Sequence, residues 1–513
     1  MSRFKRFTHS LLSGYMQLGV NSLFTIITVR LGLHYLSEEE YGLWIPTTVM
    51  AGYIALLDIG LSNSAARILI DYKDHQKPEE YGGLIQTSAL VGLAQAVLIL
   101  LVGTVLAFVM GPLLRIPAEL EREFFWLVIG QCAVTAAMFA TRIAGSLLVA
   151  HQRFDVGNYG GALSLVVNGV IMWWGFAHGV GVLSMMWGQA AGVVSTLAIN
   201  WLACSRLGLF PREGQWGRPS WAKFHELFAF GRDIFLFQVG SQFVNLSQTL
   251  FLTRLVGLDA ALTWGICTKA YTILVQVIVR IFDFSSSALA EMMVRDERAL
   301  LLRRFREIAV LCVNLAVAAG VLLAIGNGPF VRFWTAGHIH WSPWDDLLLG
   351  IWLAVGLAVK VHVGLVGQTK EFRFLRYVYF IEGFAFIGLT MLFRRFEGFT
   401  LMLTLSILCS LSFTFPYGLW RTRAYFHLRW RDLAGWHRST LALAAAVAPV
   451  AVMTWWFTRN LPALPQLMAD SFLGIWTALM FLRYGLGASL RAEACRRAPF
   501  WARPILARAG FAK

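Results

Sequence analysis

The sequence predicts an all-α polytopic membrane protein with about 14 transmembrane helices, arranged as two parallel-repeat lobes of six helices plus two C-terminal helices. Three observations carry this prediction. Hydrophobic residues fill 57% of the 513 positions and charged residues only 14%, with a mean hydropathy of +0.61, far above a soluble domain. Apolar runs long enough to cross a hydrocarbon core of roughly 30 Å, about 20 helical residues each, recur along nearly the whole chain. The runs are continuous and do not alternate, which selects helices over a β-barrel.

The first run, 11–33, is too long for a removed signal peptide and lacks a small-residue cleavage site, so it reads as a retained signal anchor. Glu38, Glu39 and Glu40 mark a solvated turn and the start of the second helix, 43–70, which holds the polar stretch "ALLDIGLSNSAARI". Runs at 84–110, 124–148, 159–180 and 182–204 complete an N-terminal lobe, 1–204. The basic, Pro- and Gly-bearing stretch "PREGQWGRPSWAKFHEL" falls in a cytoplasmic inter-lobe loop, 205–228. Runs at 229–256, 262–290, 308–331, 346–367, 374–393 and 398–420 form a C-terminal lobe, 229–420. Two additional helices, 440–458 and 466–487, lie within 421–487, and a basic cytoplasmic tail covers 488–513. That tail suits either an anionic inner leaflet or a disordered positive end.

Basic residues test this topology, because short cytoplasmic loops accumulate Lys and Arg. With the N-terminus inside, the inner segments hold 32 basic residues and the outer loops only 6. Both termini are therefore expected in the cytoplasm. The net charge of +15 is mostly topology and does not call for a nucleic-acid partner. The six cysteines, Cys132, Cys204, Cys267, Cys312, Cys409 and Cys495, are scattered without CxxC or paired spacing, so neither disulfides, a metal site nor a cofactor is expected.

The chain also repeats itself. "TVRLGLHYL" around Arg30 matches "LTRLVGLDA" around Arg254, and "LLDIGLSNSA" around Asp58 matches "IFDFSSSALA" around Asp283. "GPLLR" at Gly111 matches "GPFVR" at Gly328, and "LVAHQRF" near Gln152 echoes "LVGQTKEF" near Gln368. Four matches in one order, at offsets of 216 to 225 residues, indicate two related halves. Both halves begin with a helix of the same direction, so the repeat is parallel.

Nine charged residues fall inside spans and away from their cytoplasmic ends: Arg30, Asp58, Arg142, Arg254, Lys269, Arg280, Asp283, Lys360 and Glu382. A charge near the bilayer centre costs roughly 2.5 to 3.5 kcal/mol even on insertion scales, so such residues need a partner or a wet cavity. At about 1.5 Å per helical residue, Asp58 and Arg142 lie at similar depths, 15 and 18 residues from the outer ends of their helices, and could meet. Arg280 and Asp283 can pair along one helix face, and Lys360 stands within two residues of the repeat position of Arg142. One reading makes these buried pairs that fix helix register, with Arg30 and Arg254 snorkelling to headgroups. The other makes Arg30, Arg142, Arg254, Lys269, Arg280 and Lys360 the lining of a cleft for an anionic substrate, phosphate above all. Asp58, Asp283 and Glu382 are then counter-ions or coupling sites. Gly60, Ser62, Ser64, Ala65 and Ala66, echoed by Ser285, Ser286, Ser287 and Ala288, suit close helix packing.

Catalysis finds little support. No outer loop exceeds about fifteen residues, and His178, His338, His340 and His362 show no ligand spacing. Trp173 with Trp174, Trp455 with Trp456, and Trp341 with Trp344 fit interfacial belts.

The stretch "LSEEEYGLWIPTTVMAGYIALLDIGLSNSAARIL", followed by "LLVAHQRFDVGN" from Leu147, resembles the first lobe of the polysaccharide transporter family. These are the oligosaccharide-lipid flippases of the multidrug/oligosaccharidyl-lipid/polysaccharide exporter superfamily. The resemblance covers about the first 155 residues and rests beyond them on the repeat. It implies alternating access by two lobes and a polyprenyl-diphosphate-linked oligosaccharide, an O-antigen or polysaccharide repeat unit, carried across a bacterial inner membrane. Membrane lipids, a polysaccharide polymerase and glycosyltransferases are the implied partners. An ion gradient or the membrane potential, roughly 2.3 kcal/mol per charge per 100 mV, would drive it. A cation-coupled multidrug exporter of the same superfamily stays open as the alternative, and a membrane glycosyltransferase or polymerase as a more distant one.

Overall fold

The structure, a computed structural model, describes residues 3–58, 61–74, 78–151, 153–339, 341–368, 374–396, 398–487 and 491. Gly60, Gln152, His340, Cys495 and all of the expected tail except Arg491 lie outside the described residues. The described residues form helices joined by turns and loops, with no strand, and the chain divides into two compact units, Met1–Leu262 and Thr263–Lys513.

In the first unit, helix α1 (Arg3–Tyr35) packs on α7 (Phe154–Ala177), once α2 (Glu38–Ile54), α3 (Leu61–Asp74), α4 (Pro78–Leu114), α5 (Glu121–Thr141) and α6 (Ile143–Ala150) have been laid down. Helix α8 (Leu183–Arg206) pairs with α7, and α9 (Trp221–Asn245) and α10 (Ser247–Leu255) close against α2, α3 and α4. The acidic turn does start α2: Ser37 is its N-cap, the Glu40 backbone N–H donates to the Ser37 hydroxyl, and the Ser37 N–H donates to Glu40 Oε2 at 2.9 Å. The loop before α9 is tied to α4, where the Ser220 N–H donates to Thr87 Oγ1 at 3.2 Å and the Tyr81 hydroxyl donates to the Leu209 carbonyl at 3.1 Å.

The expected single span 43–70 is interrupted. Helix α2 ends in a 3-10 turn, Ala55–Asp58, and α3 resumes at Leu61. Small residues then let α3 approach α6. Ser64 is fully buried, and Leu61, Ala65, Ile68 and Leu69 share a core with Ile143, Ala144, Leu147 and Leu148. The span expected at 229–256 is likewise divided at Leu246 into α9 and α10.

The boundary between the units falls within α11 (Leu258–Cys267). The second unit continues with α12 (Lys269–Val294), α13 (Arg298–Trp334), α14 (Pro343–Gln368), α15 (Leu375–Leu392), α16 (Phe399–Ser412), α17 (Thr414–Phe426) and α18 (Trp430–Trp436). It ends with α19 (Arg438–Thr458) and α20 (Ala463–Met480). Helices α13 and α14 form a close hairpin. The two additional helices pack on α13 and on each other. Thr440 Oγ1 donates to Asn314 Oδ1 at 2.6 Å, Asn314 Nδ2 donates to the Gly485 carbonyl at 2.9 Å, and Arg332 Nη2 donates to Gln466 Oε1 at 2.7 Å. Leu443 and Val447 seat against Ala318 beneath these polar ties.

Ten helices among the described residues are long and apolar enough to cross a membrane. The difference from the expected fourteen lies in the divided spans 43–70 and 229–256 and in α8 and α20, which are continuous over 24 and 18 residues but less apolar. Large apolar side chains such as Phe108, Phe457 and Phe472 stand exposed on α4, α19 and α20, as a hydrocarbon solvent requires.

Candidate functional site

Asp58 and Arg142 meet. Asp58 ends the 3-10 turn, and Arg142 stands where α5 gives way to α6 with its own dihedrals still helical. Arg142 Nη1 donates to Asp58 Oδ1 in an ion pair whose side chains are 15% and 18% exposed. Arg142 Nη2 donates to Gln95 Oε1 at 2.6 Å, and Gln95 Nε2 donates to the Leu57 carbonyl at 2.5 Å. The Phe139 ring lies 5.2 Å from the guanidinium carbon. A helix end leaves backbone carbonyls without intrahelical partners, and in a membrane protein another protein group has to satisfy them. Gln95, on α4, does this for the turn that presents Asp58. Gln95 was not among the sequence candidates: a neutral amide in an apolar run carries no charge signature.

The second unit repeats the association of acid and base. Asp283 on α12 follows Arg280 by one turn on its own helix, and Lys360 stands on α14, which packs against α12. The two acids are repeat equivalents, and Lys360 falls beside the repeat position of Arg142. Asp283 and Lys360 are exposed and Arg280 half-buried, so this cluster is wetter than the Asp58 network.

The other candidates are placed differently. Arg254, at the end of α10, donates through Nη1 to the Leu113 carbonyl at 2.5 Å. This is the contact of a cation at a helix C-terminus, here that of α4. Arg30 is exposed near the end of α1, and Lys269 is half-buried at the first position of α12, just after the interruption at Thr268. Glu382 on α15 is 2% exposed and accepts from the Ser410 hydroxyl of α16 at 2.9 Å.

Two further polar clusters escaped the sequence. Asp346, in the first turn of α14, accepts from Asn327 Nδ2 at 2.7 Å and Trp341 Nε1 at 2.6 Å, while Asp345 accepts from Thr400 Oγ1 at 2.5 Å. Adjacent aspartates there read as ordinary N-terminal charges. His362, fully buried, shares a hydrogen bond of 3.0 Å with Thr422 Oγ1, and its ring centre lies 6.1 Å from that of His437. Burial holds the His437 imidazole below its ordinary range. No cluster of three metal-ligating side chains occurs among the described residues. A cleft of about 400 Å3 at the α4–α5 end of the first unit is lined by Phe108, Gly111, Glu121, Arg122 and Phe125 and by none of the nine candidates.

No protein-family model and no curated protein matches the chain. Its fold is shared with solved transporters, one of them described as a MATE family transporter of the MOP superfamily. The solved structures it is similar to include the lipid II flippase MurJ in an inward closed conformation, with a TM-score of 0.63 and 12% identity over 94% of this chain and 99% of the other. They also include an inward-facing multidrug resistance MATE family transporter, with a TM-score of 0.60 and 15% identity over 81% of this chain and 98% of the other. A third is the MATE transporter VcmN of Vibrio cholerae, with a TM-score of 0.57 and 14% identity over 82% of this chain and 96% of the other.

Proposed function

We propose that this protein is a flippase that moves a polyprenyl-diphosphate-linked oligosaccharide across a bacterial inner membrane by alternating access, with both termini in the cytoplasm. The observation that carries the reading is the set of cations placed within membrane-depth helices of each unit: Arg142 in the first, Lys269, Arg280 and Lys360 in the second. A diphosphate is a strong acceptor for guanidinium and ammonium groups, and its polyprenyl tail can stay in hydrocarbon while the glycan crosses. Arg254 has a smaller share, because its Nη1 is engaged by carbonyls at the end of α4. Asp58, Asp283 and Glu382 serve as counter-ions or coupling groups.

The multidrug-exporter alternative is less favoured. The MATE structures cover 81% and 82% of this chain, whereas the lipid II flippase covers 94%, which suits a cargo handled with the help of the additional C-terminal helices. The test is a leaflet-translocation assay in proteoliposomes, run with a lipid-diphosphate oligosaccharide and, separately, with a cationic dye. Alanine variants at Arg142, Lys269 and Lys360 are expected to slow the lipid substrate, and the Arg254 variant to slow it least. Unchanged lipid transport in all four variants, or transport of the dye alone, would overturn the reading.

A further inference from the structure

We propose that Asp58 is a built-in competitor for the anion-binding guanidinium of Arg142, and that Gln95 is the positioning residue that holds the two together across the helix break. The inference rests on the flippase reading and adds to it how the site is kept when no cargo occupies it. Three features carry it. First, the guanidinium is shared between its two terminal nitrogens, Nη1 toward Asp58 and Nη2 toward Gln95. Arg offers two parallel donors that match one bidentate anion, carboxylate or phosphate. Second, Gln95 uses both ends of its amide, accepting from Arg142 and donating to the Leu57 carbonyl. The residue preceding Asp58 is thereby fixed by the same side chain that orients Arg142. Third, the pair is only partly covered, at 15% and 18% exposure, so a second anion can approach the donors that Asp58 holds.

The energetics favour exchange over binding to a bare charge. Burying an unpaired guanidinium is costly, and a buried pair that loses one partner is strongly destabilised. A diphosphate that displaces Asp58 creates no new unpaired Arg142. It releases the Asp58 carboxylate at the end of the 3-10 turn that follows α2. Binding of the anion is thereby coupled to the α2–α3 junction.

The test is the affinity of the full-length protein in nanodiscs for a polyprenyl diphosphate that carries no glycan. Asp58→Asn, which removes the competing charge but keeps the shape, is expected to bind the probe about 10-fold more tightly, a difference of about 1.4 kcal/mol. Gln95→Glu, which sets a second carboxylate on Nη2, is expected to weaken binding by a similar factor of about 10 and serves even where Asp58→Asn fails to fold. Asp58→Glu retains the competitor and is expected to restore the unmodified affinity, which a merely structural role for the carboxylate would not tie to its charge. If Arg142→Gln abolishes binding while Asp58→Asn and Gln95→Glu leave it unchanged, the competitor is refuted and the flippase reading stands. If Arg142→Gln leaves binding unchanged, the competitor is refuted and the cargo is held by other cations. If the unmodified protein does not bind the probe, both readings fall.

Discussion

The Asn327 amide of α13 donates at once to the Asp346 carboxylate of α14, at 2.7 Å, and to the Cys267 carbonyl at the end of α11, at 3.1 Å. One side chain thus joins three helices of the second unit, and both it and Asp346 are nearly fully buried. Asn327→Leu removes both hydrogen bonds and leaves the carboxylate with the Trp341 indole N–H. Each orphaned buried group costs about 1–3 kcal/mol, so the variant is expected to melt earlier in detergent. Trp341→Phe is expected to do the same to a smaller degree. An unchanged melting temperature for Asn327→Leu would show that these bonds do not hold α11, α13 and α14 together.

The Asp58–Arg142 pair makes a sharper prediction. Arg142→Ala leaves a largely covered carboxylate and Asp58→Ala a largely covered guanidinium, each expected to destabilise by about 3–5 kcal/mol. The double variant is expected to lose less than the sum, with a coupling of about 0.5–3 kcal/mol, because the second substitution removes the charge that the first left unpaired. Strictly additive losses in thermal melts would mean that the two side chains act on stability independently.

That pair was legible in the sequence because depth along a helix depends only on rise per residue, which is the same for every residue. Two runs that begin outside must bring residues 15 and 18 positions in to similar depths. The 3-10 turn at Ala55–Asp58 was not legible, since a count of apolar residues is blind to whether the α-helix stays continuous. Gln95 was hidden for a related reason: an amide is cheap enough in an apolar run to pass unnoticed, and its role exists only through the carbonyl that the break leaves at Leu57. The internal repeat placed Asp283 and Lys360 at or beside the positions that Asp58 and Arg142 hold in the first half. The contact of Arg254 with α4 could not be read, because it joins residues 141 positions apart in the chain.

Burial of the His437 imidazole gives a pH dependence with a definite sign. The group lies outside the membrane-spanning segments, and its folded pKa is below the ordinary value of 6.5. As pH falls through that value, the unfolded chain takes up a proton that the folded protein refuses, so folding stability declines with acidification. His437→Phe is expected to flatten the fall in melting temperature between about pH 7 and pH 5. An equally steep fall in the variant would assign the acid sensitivity to other groups.

A close backbone approach between α13 and α14 sets the last prediction. A Cβ built on Gly320 of α13 would lie 2.6 Å from the Gly350 carbonyl oxygen of α14, and one built on Gly350 would collide with the Gly320 carbonyl oxygen. Neither oxygen can rotate away as a flexible side chain would, so any larger residue must push the two helices apart. Gly320→Val is expected to cost about 1–3 kcal/mol through overpacking, and to loosen the hairpin on which α19 and α20 are seated. Gly388 on α15 is the control, for a Cβ there meets nothing within 4 Å. Gly388→Ala is expected to be neutral or to stabilise by up to about 1 kcal/mol, since glycine is a poor helix former. Thermal melts of the two variants in detergent decide the matter: a Gly320→Val protein that melts with the unmodified chain would mean that α13 and α14 are not in backbone contact.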